Sequence, residues 1–210
     1  MDKLDLVKQF PSYYKATTKP ELVTLPPASY LAISGQGAPE SAEYGQKLQA
    51  LYSIAYGLKF LAKAQQQDFV VAKLEGLWWF DADKYSTVAM ADTPTAIPRS
   101  DWYWRMLIRI PDSIPADLVE TAKAAKGAKK QIPFADEVAF LQYEEGLVVQ
   151  MLHLGPFSNE HVTLQQIIDF CQANKLDKAG LHHEIYLSDF RRTKPDALKT
   201  ILREPVKPRL

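Results

Sequence analysis

The apolar positions fall into two successive runs that go through the same changes of period. In the first, Ala28 to Ser34 reads as a β-strand, which Gly35-Gln36-Gly37 ends in a turn. Pro39 suits a first helical position, and Glu40 and Glu43 sit where the free N–H groups of a helix start favour negative charge. Tyr44, Leu48, Leu51, Ala55, Leu58 and Ala62 then recur every three or four residues, the spacing of a long amphipathic helix, with Tyr52 and Tyr56 beside the stripe. Phe69 to Phe80 and Trp102 to Ile110 read as two strands, joined by the Pro-, Thr- and Asp-rich loop Asp81 to Asp101.

The second run repeats this order. Gly146 to Leu154 reads as a strand closed by Gly155-Pro156. Asn159 to Asn174 reads as a helix with Val162, Leu164, Ile167, Ile168 and Cys171 on its apolar face, and Gly180 to Leu187 and Leu198 to Val206 follow as strands. Two βαββ units predict an α+β fold of tandem pseudo-twofold repeats, their antiparallel strands joined in one curved sheet. Both helices would cover one face, leaving a ligand groove on the other. The expected division is an N-terminal arm over 1–27 and a domain over 28–210. Within that domain come repeat one (28–111), a linker containing a helix (114–145) and repeat two (146–207). Lys19-Pro20 and Pro26-Pro27 predict an extended arm, because proline cannot continue a helix.

Composition narrows the function. The chain has 210 residues, 47% of them hydrophobic and 24% charged, with 25 Lys+Arg balancing 25 Asp+Glu. Zero net charge lacks the electrostatic footprint of a nucleic-acid binder, and the one basic run, Lys123 to Lys130, reads as a solvated helix face. A single cysteine, Cys171, excludes an intramolecular disulfide, and its apolar neighbours make it a small hydrophobe. No stretch approaches the roughly 20 apolar residues of a membrane span, and the N-terminus has no apolar leader, so a cytoplasmic protein is expected. Among the four histidines no pair has zinc-site spacing, and no phosphate loop or nucleophile elbow is present, so neither metal nor cofactor is expected.

Glu184 is the residue to explain, an acid in the alternating run Leu181 to Asp189. Side chains on a strand alternate between faces, so Glu184 shares a face with His182 and Tyr186, opposite His183, Ile185 and Leu187. A carboxylate beside an aromatic ring can seat a cation or act as a general base, and a solvated strand acid is the plain alternative. The Tyr186 hydroxyl can hold that carboxylate or donate a proton. Trp78 and Trp79 are adjacent on a strand, so one faces the core and the other the groove, and sequence parity does not decide which. Trp104, sharing a face with Trp102, is read as groove lining, and Glu75 as a solvated acid or as the first repeat's counterpart to Glu184.

The chain resembles the GyrI-like small-molecule-binding proteins, relatives of the effector-binding domains of multidrug-responsive regulators, and within them the stand-alone bacterial branch. Tyr30 to Gly37, Leu74 to Trp79, Trp102 to Arg105, Glu145 to Phe157 and His182 to Asp189 carry the likeness over essentially the whole chain, although Ala38-Pro39 stand where relatives have Asp-Pro. The resemblance implies a groove in which Glu184, among aromatic rings, meets flat hydrophobic molecules that are often cationic. It also implies an alternative, hydrolysis of strained cyclopropane-bearing toxins with Glu184 as the base, and a further one, a regulator of a protein partner such as gyrase. Direct DNA binding is not expected, because the 27-residue arm is too short for a winged DNA-reading domain.

Overall fold

The computed structural model describes residues 3–88, 92–130 and 132–209. Outside the description lie Met1 and Asp2 of the arm, residues 89–91 of the Asp81 to Asp101 loop, Gln131, Leu210, and the side chains of Pro94 and of residues 127–130 in the basic run. In chain order the elements are α1 (Leu6–Gln9), α2 (Pro11–Tyr14), β1 (Glu21–Leu25), β2 (Ala28–Gln36), α3 (Ala42–Ala64), β3 (Leu74–Trp79), α4 (Thr93–Ala96), β4 (Tyr103–Ile110), α5 (Ala116–Lys130), β5 (Ala139–Tyr143), β6 (Gly146–Leu154), α6 (Glu160–Ala173), β7 (Leu176–Lys178), β8 (His182–Tyr186) and β9 (Lys199–Pro208).

The strands form one antiparallel sheet in the order β1-β6-β9-β8-β3-β4-β2-β5, with β7 added on β9. The order reads the same from either end: β3-β4-β2 mirrors β8-β9-β6, and the two halves meet where β3 pairs with β8. Only Pro26-Pro27 joins β1, at one edge, to β2, next to the other edge, and only Glu144-Glu145 joins β5 to β6. A two-residue link spans about 10 Å at most, so the sheet must curl until its edges approach each other.

The cores follow from that curl. On the inner face, Leu25, Tyr30, Leu77, Leu107, Ile185 and Ile201, drawn from six strands, form one cluster with Leu6, Tyr13 and Tyr14 of the arm. The outer face carries two separate cores. One lies under α3 and α5, where Leu51, Ile54, Ala55 and Leu58 of α3 are fully buried against Ile33, Trp104, Met106 and Ile108. The other lies under α6, where Leu164 and Ile167 meet Val149, Met151 and Leu202. Each fully buried aliphatic side chain contributes about 1.5–3 kcal/mol. Ser41 caps α3, its Oγ accepting from the Tyr44 N–H at 3.2 Å, so the helix starts after Ser41 and not at Pro39.

The tandem antiparallel α+β architecture is the one the sequence predicts. The sheet face opposite the helices, expected to be open, is instead filled by the arm. The arm also differs from the extended segment its prolines predict: two single-turn helices, α1 and α2, turn Tyr13 and Tyr14 inward, and β1 pairs with β6. β5 lies within the expected linker as a five-residue edge strand, too short and irregular in burial to announce itself by alternation. Glu75 is fully buried on the inner face, where it accepts hydrogen bonds from Tyr13 Oη at 2.5 Å and Tyr14 Oη at 3.3 Å. His183 bridges Glu75 at 3.1 Å and Glu145 at 2.9 Å, and Arg203 donates to Glu145, Gln150 and the Tyr13 carbonyl. Reading Glu75 as solvated therefore fails, because the arm seals the face to which it points. Among the described residues, no helix is long and apolar enough to cross a membrane.

Candidate functional site

Strand alternation puts His182, Glu184 and Tyr186 on the outer face, and the β3–β8 register sets Gly76 opposite Glu184 and Trp78 opposite His182. Gly76 leaves the space above the seam free. A Cβ there would lie 2.7 Å from Met106 Cε, 2.8 Å from Trp78 Nε1 and 3.0 Å from Tyr186 Oη. Trp78 and Tyr186 use that space to meet, the indole N–H donating to the phenol oxygen at 3.0 Å.

Rings from both repeats enclose this pair. Trp78 packs beside Tyr44 of α3 at 6.5 Å between centroids and edge-on to Trp102 at 6.4 Å. Tyr186 meets Phe157 and Phe190 edge-on, each at 5.9 Å. Phe157 lies in the 3-10 turn before α6, so the start of that helix is laid over β8. Beside Tyr186 opens a cavity of about 560 Å³ with Leu48, Tyr52 and Tyr56 of α3 on one side and Phe190 on the other; Glu184 and Trp78 do not line it.

The charged groups form a chain. His182 lies between two carboxylates, its Nδ1 2.6 Å from Glu204 Oε1 and its Nε2 3.3 Å from Glu184 Oε1, and Lys178 Nζ lies 2.9 Å from Glu204 Oε2. A neutral imidazole has one N–H and one lone pair, so facing an anion with both nitrogens requires the imidazolium. Burial by itself would lower this imidazole's pKa, but Glu204 and Glu184 override it and raise it to about 10. Glu160, the first residue of α6, is 6% exposed, and its Oε1 has no hydrogen-bond partner among the described residues. Burial first, then the nearby Glu184 carboxylate, pushes its carboxyl well above the ordinary range. The same two causes in the same order raise the Tyr186 phenol, which stays a neutral donor.

Of the five residues singled out from the sequence, Glu184, Tyr186 and Trp78 come together. Trp79 turns to the inner face and stacks on Tyr103 at 5.8 Å. Trp104 shares the Glu184 face but is 1% exposed, wedged under Gly35 with its Nε1 donating to the Gly37 carbonyl at 3.2 Å. It meets Tyr44 edge-on at 4.9 Å and so packs against that ring from within the core. Sequence reasoning missed Tyr44 as a wall residue, and it missed Glu160 and Glu204. A glutamate on the strand face shared by Leu202 and Val206 was a signal for Glu204. Glu160, at a helix start, looks like ordinary capping charge.

A family model described as "GyrI-like small molecule binding domain" matches residues 18–207. Among solved structures, a protein from Listeria innocua described as a hydrolase is 34% identical, with a TM-score of 0.84, and the match covers 98% of this chain and 100% of that one. A conserved protein from the same organism, described as uncharacterized, is also 34% identical over the same shares, with a TM-score of 0.87. The C-terminal domain of EcmrR shares the fold at 10% identity and a TM-score of 0.54, over 90% of this chain and 98% of that one. No curated protein matches the chain.

Proposed function

Because the chain belongs to the GyrI-like small-molecule-binding family, we propose that it takes a hydrophobic, aromatic molecule against Trp78 and Tyr186, with the molecule's reactive or polar end at Glu184. The observation that carries this reading is the Trp78–Tyr186 hydrogen bond across Gly76, which holds two flat rings beside a carboxylate that is 12% exposed. Aromatic faces fixed in this way bind flat apolar molecules by stacking, with little ordering cost. A ligand there quenches Trp78 fluorescence. A diverse panel of planar aromatics that leaves the emission of wild-type protein unchanged at tens of micromolar would remove the proposal.

A second reading, hydrolysis, is favoured by one further observation. Glu184 and Tyr186 put a proton acceptor and a neutral proton donor on one strand face, and a relative 34% identical over its whole length is described as a hydrolase. Among the described residues the site holds no serine or cysteine beside Glu184 and Tyr186, and the attacking group in this reading is water. Glu184 takes a proton from water as the new C–O bond forms at a strained cyclopropane carbon. The breaking C–C bond delivers its electron pair to a conjugated carbonyl oxygen, which Tyr186 stabilises by hydrogen bonding and which is then protonated. The net change is addition of one water. Glu184→Gln keeps the shape of the site and removes the base, so turnover of an activated cyclopropane is expected to vanish while binding persists. Unchanged turnover in that variant excludes the mechanism.

A further inference from the structure

The carboxylate at the centre of the site already has a countercharge. His182 stands 3.3 Å from Glu184 and is held in place by Glu204 at 2.6 Å, which Lys178 in turn neutralises at 2.9 Å. Lys178 and His182 bring two positive charges, and Glu204 and Glu184 two negative ones, so the chain is electrically closed. These groups come from β7, β8 and β9. From α6, Glu160 faces the same acid as a buried carboxyl whose Oε1 is unpartnered among the described residues, with Arg99 of the loop before β4 close by. Burial and the neighbouring Glu184 charge both favour the neutral acid there. From α3, Tyr44 adds a neutral phenol.

We propose that this site selects uncharged aromatic ligands over cationic ones of the same shape, because His182 takes the place that a ligand's positive charge would otherwise fill beside Glu184. The inference rests on the binding reading above and specifies its ligand class. A cation entering here would lose its hydration among Trp78, Tyr186 and Phe157 and would meet a carboxylate that already has an imidazolium 3.3 Å away. An uncharged ring system loses little hydration and gains the same stacking. Removing the imidazolium is expected to reverse the preference, since the Glu184 carboxylate beside Tyr186 would then lack its countercharge.

The test uses 9-methylacridine and its N-methylated cation 9,10-dimethylacridinium, titrated calorimetrically into the full chain at about pH 8, where the weakly basic ring nitrogen of the first is unprotonated and His182, raised from the ordinary histidine value to about 10, keeps its proton. Wild-type protein is expected to bind the neutral compound at least about tenfold more tightly. His182→Gln is expected to shift the ratio toward the cation by about tenfold or more. Equal or tighter binding of the cation by wild-type protein overturns this inference while leaving the binding reading intact, and this arm needs no variant to fold. Binding of neither compound by wild-type protein removes both. A folded His182→Gln variant that keeps the wild-type ratio shows that His182 is not the discriminating group, which also overturns it.

Discussion

Trp78 Nε1 donates to Tyr186 Oη at 3.0 Å across the seam where the two repeats join, so one hydrogen bond ties the first repeat's indole to the second repeat's phenol. Trp78→Phe keeps a ring in place and removes this donor. A lost hydrogen bond of this kind costs about 1 kcal/mol. The expected outcome is a small fall in melting temperature together with a several-fold loss of aromatic-ligand affinity, since Tyr186 is no longer held. Unchanged affinity in a calorimetric titration would separate this bond from the site.

Two glycines make room for aromatic rings, and their replacement is expected to fail in different ways. A Cβ on Gly35 would lie 2.3 Å from Trp104 Cζ2, and that ring is pinned by its bond to the Gly37 carbonyl. Gly35→Ala should therefore destabilise the protein by about 1–3 kcal/mol, the usual cost of overpacking. At Gly76 the closest atom is the flexible end of Met106, but Trp78 and Tyr186 come next. Gly76→Ala is expected to cost less stability and more ligand affinity. Urea denaturation and ligand titration on both variants check the contrast.

Arg203 closes the inner-face network, and its guanidinium is fully buried. It donates to Glu145 at 2.8 Å, to Gln150 at 2.9 and 3.1 Å, and to the Tyr13 carbonyl at 2.8 Å. Arg203→Met preserves bulk but leaves the buried Glu75 and Glu145 carboxylates to share His183 alone, and breaking a buried pair in this way costs about 3–5 kcal/mol. The variant is also expected to loosen the arm, since Tyr13 loses its anchor. Limited proteolysis should then cut first within residues 10–20. A variant as stable as wild-type protein, with the arm still protected, would contradict this account.

The dependence of stability on pH should have two limbs of opposite cause. Burial alone would raise the Glu145 pKa, but His183 and Arg203 hold it down to about 2. The stability it contributes is therefore present above its ordinary value of about 4.5 and lost as the pH falls toward 2. The His182 pKa is raised to about 10, so its contribution is complete below about 6.5 and is lost as the pH rises through 10. Scanning calorimetry is expected to show maximal melting temperature between about pH 4.5 and 6.5. His182→Gln should flatten the alkaline limb and leave the acid limb in place.

Much of this was legible before any coordinates. The 3.6-residue stripe from Tyr44 to Ala62 announced α3, and the alternation around Glu184 put His182 and Tyr186 beside it, because helical and strand periodicity are local properties. The boundaries were less so. The pattern predicts strand from Phe69, but between Phe69 and Lys73 only Phe69 makes an isolated bridge, to Leu4, and regular pairing begins at Leu74. Trp78, Trp79 and Trp104 show the limit at the site itself: parity separates the two faces of a strand but does not say what covers each one.

The sequence by itself determined the order of elements, the duplication and the strand face that Glu184 shares with His182 and Tyr186, since each is written in neighbouring residues or in the recurrence of a pattern. Tertiary structure decided what covers each side of the sheet, through an arm whose Tyr13-Tyr14 pair fills the inner face. It also decided the charge around Glu184. His182, Glu204, Lys178 and Glu160 reach that acid only through strand register and the position of α6, and the preference of a buried carboxyl for its proton depends on neighbours that no local segment of chain contains.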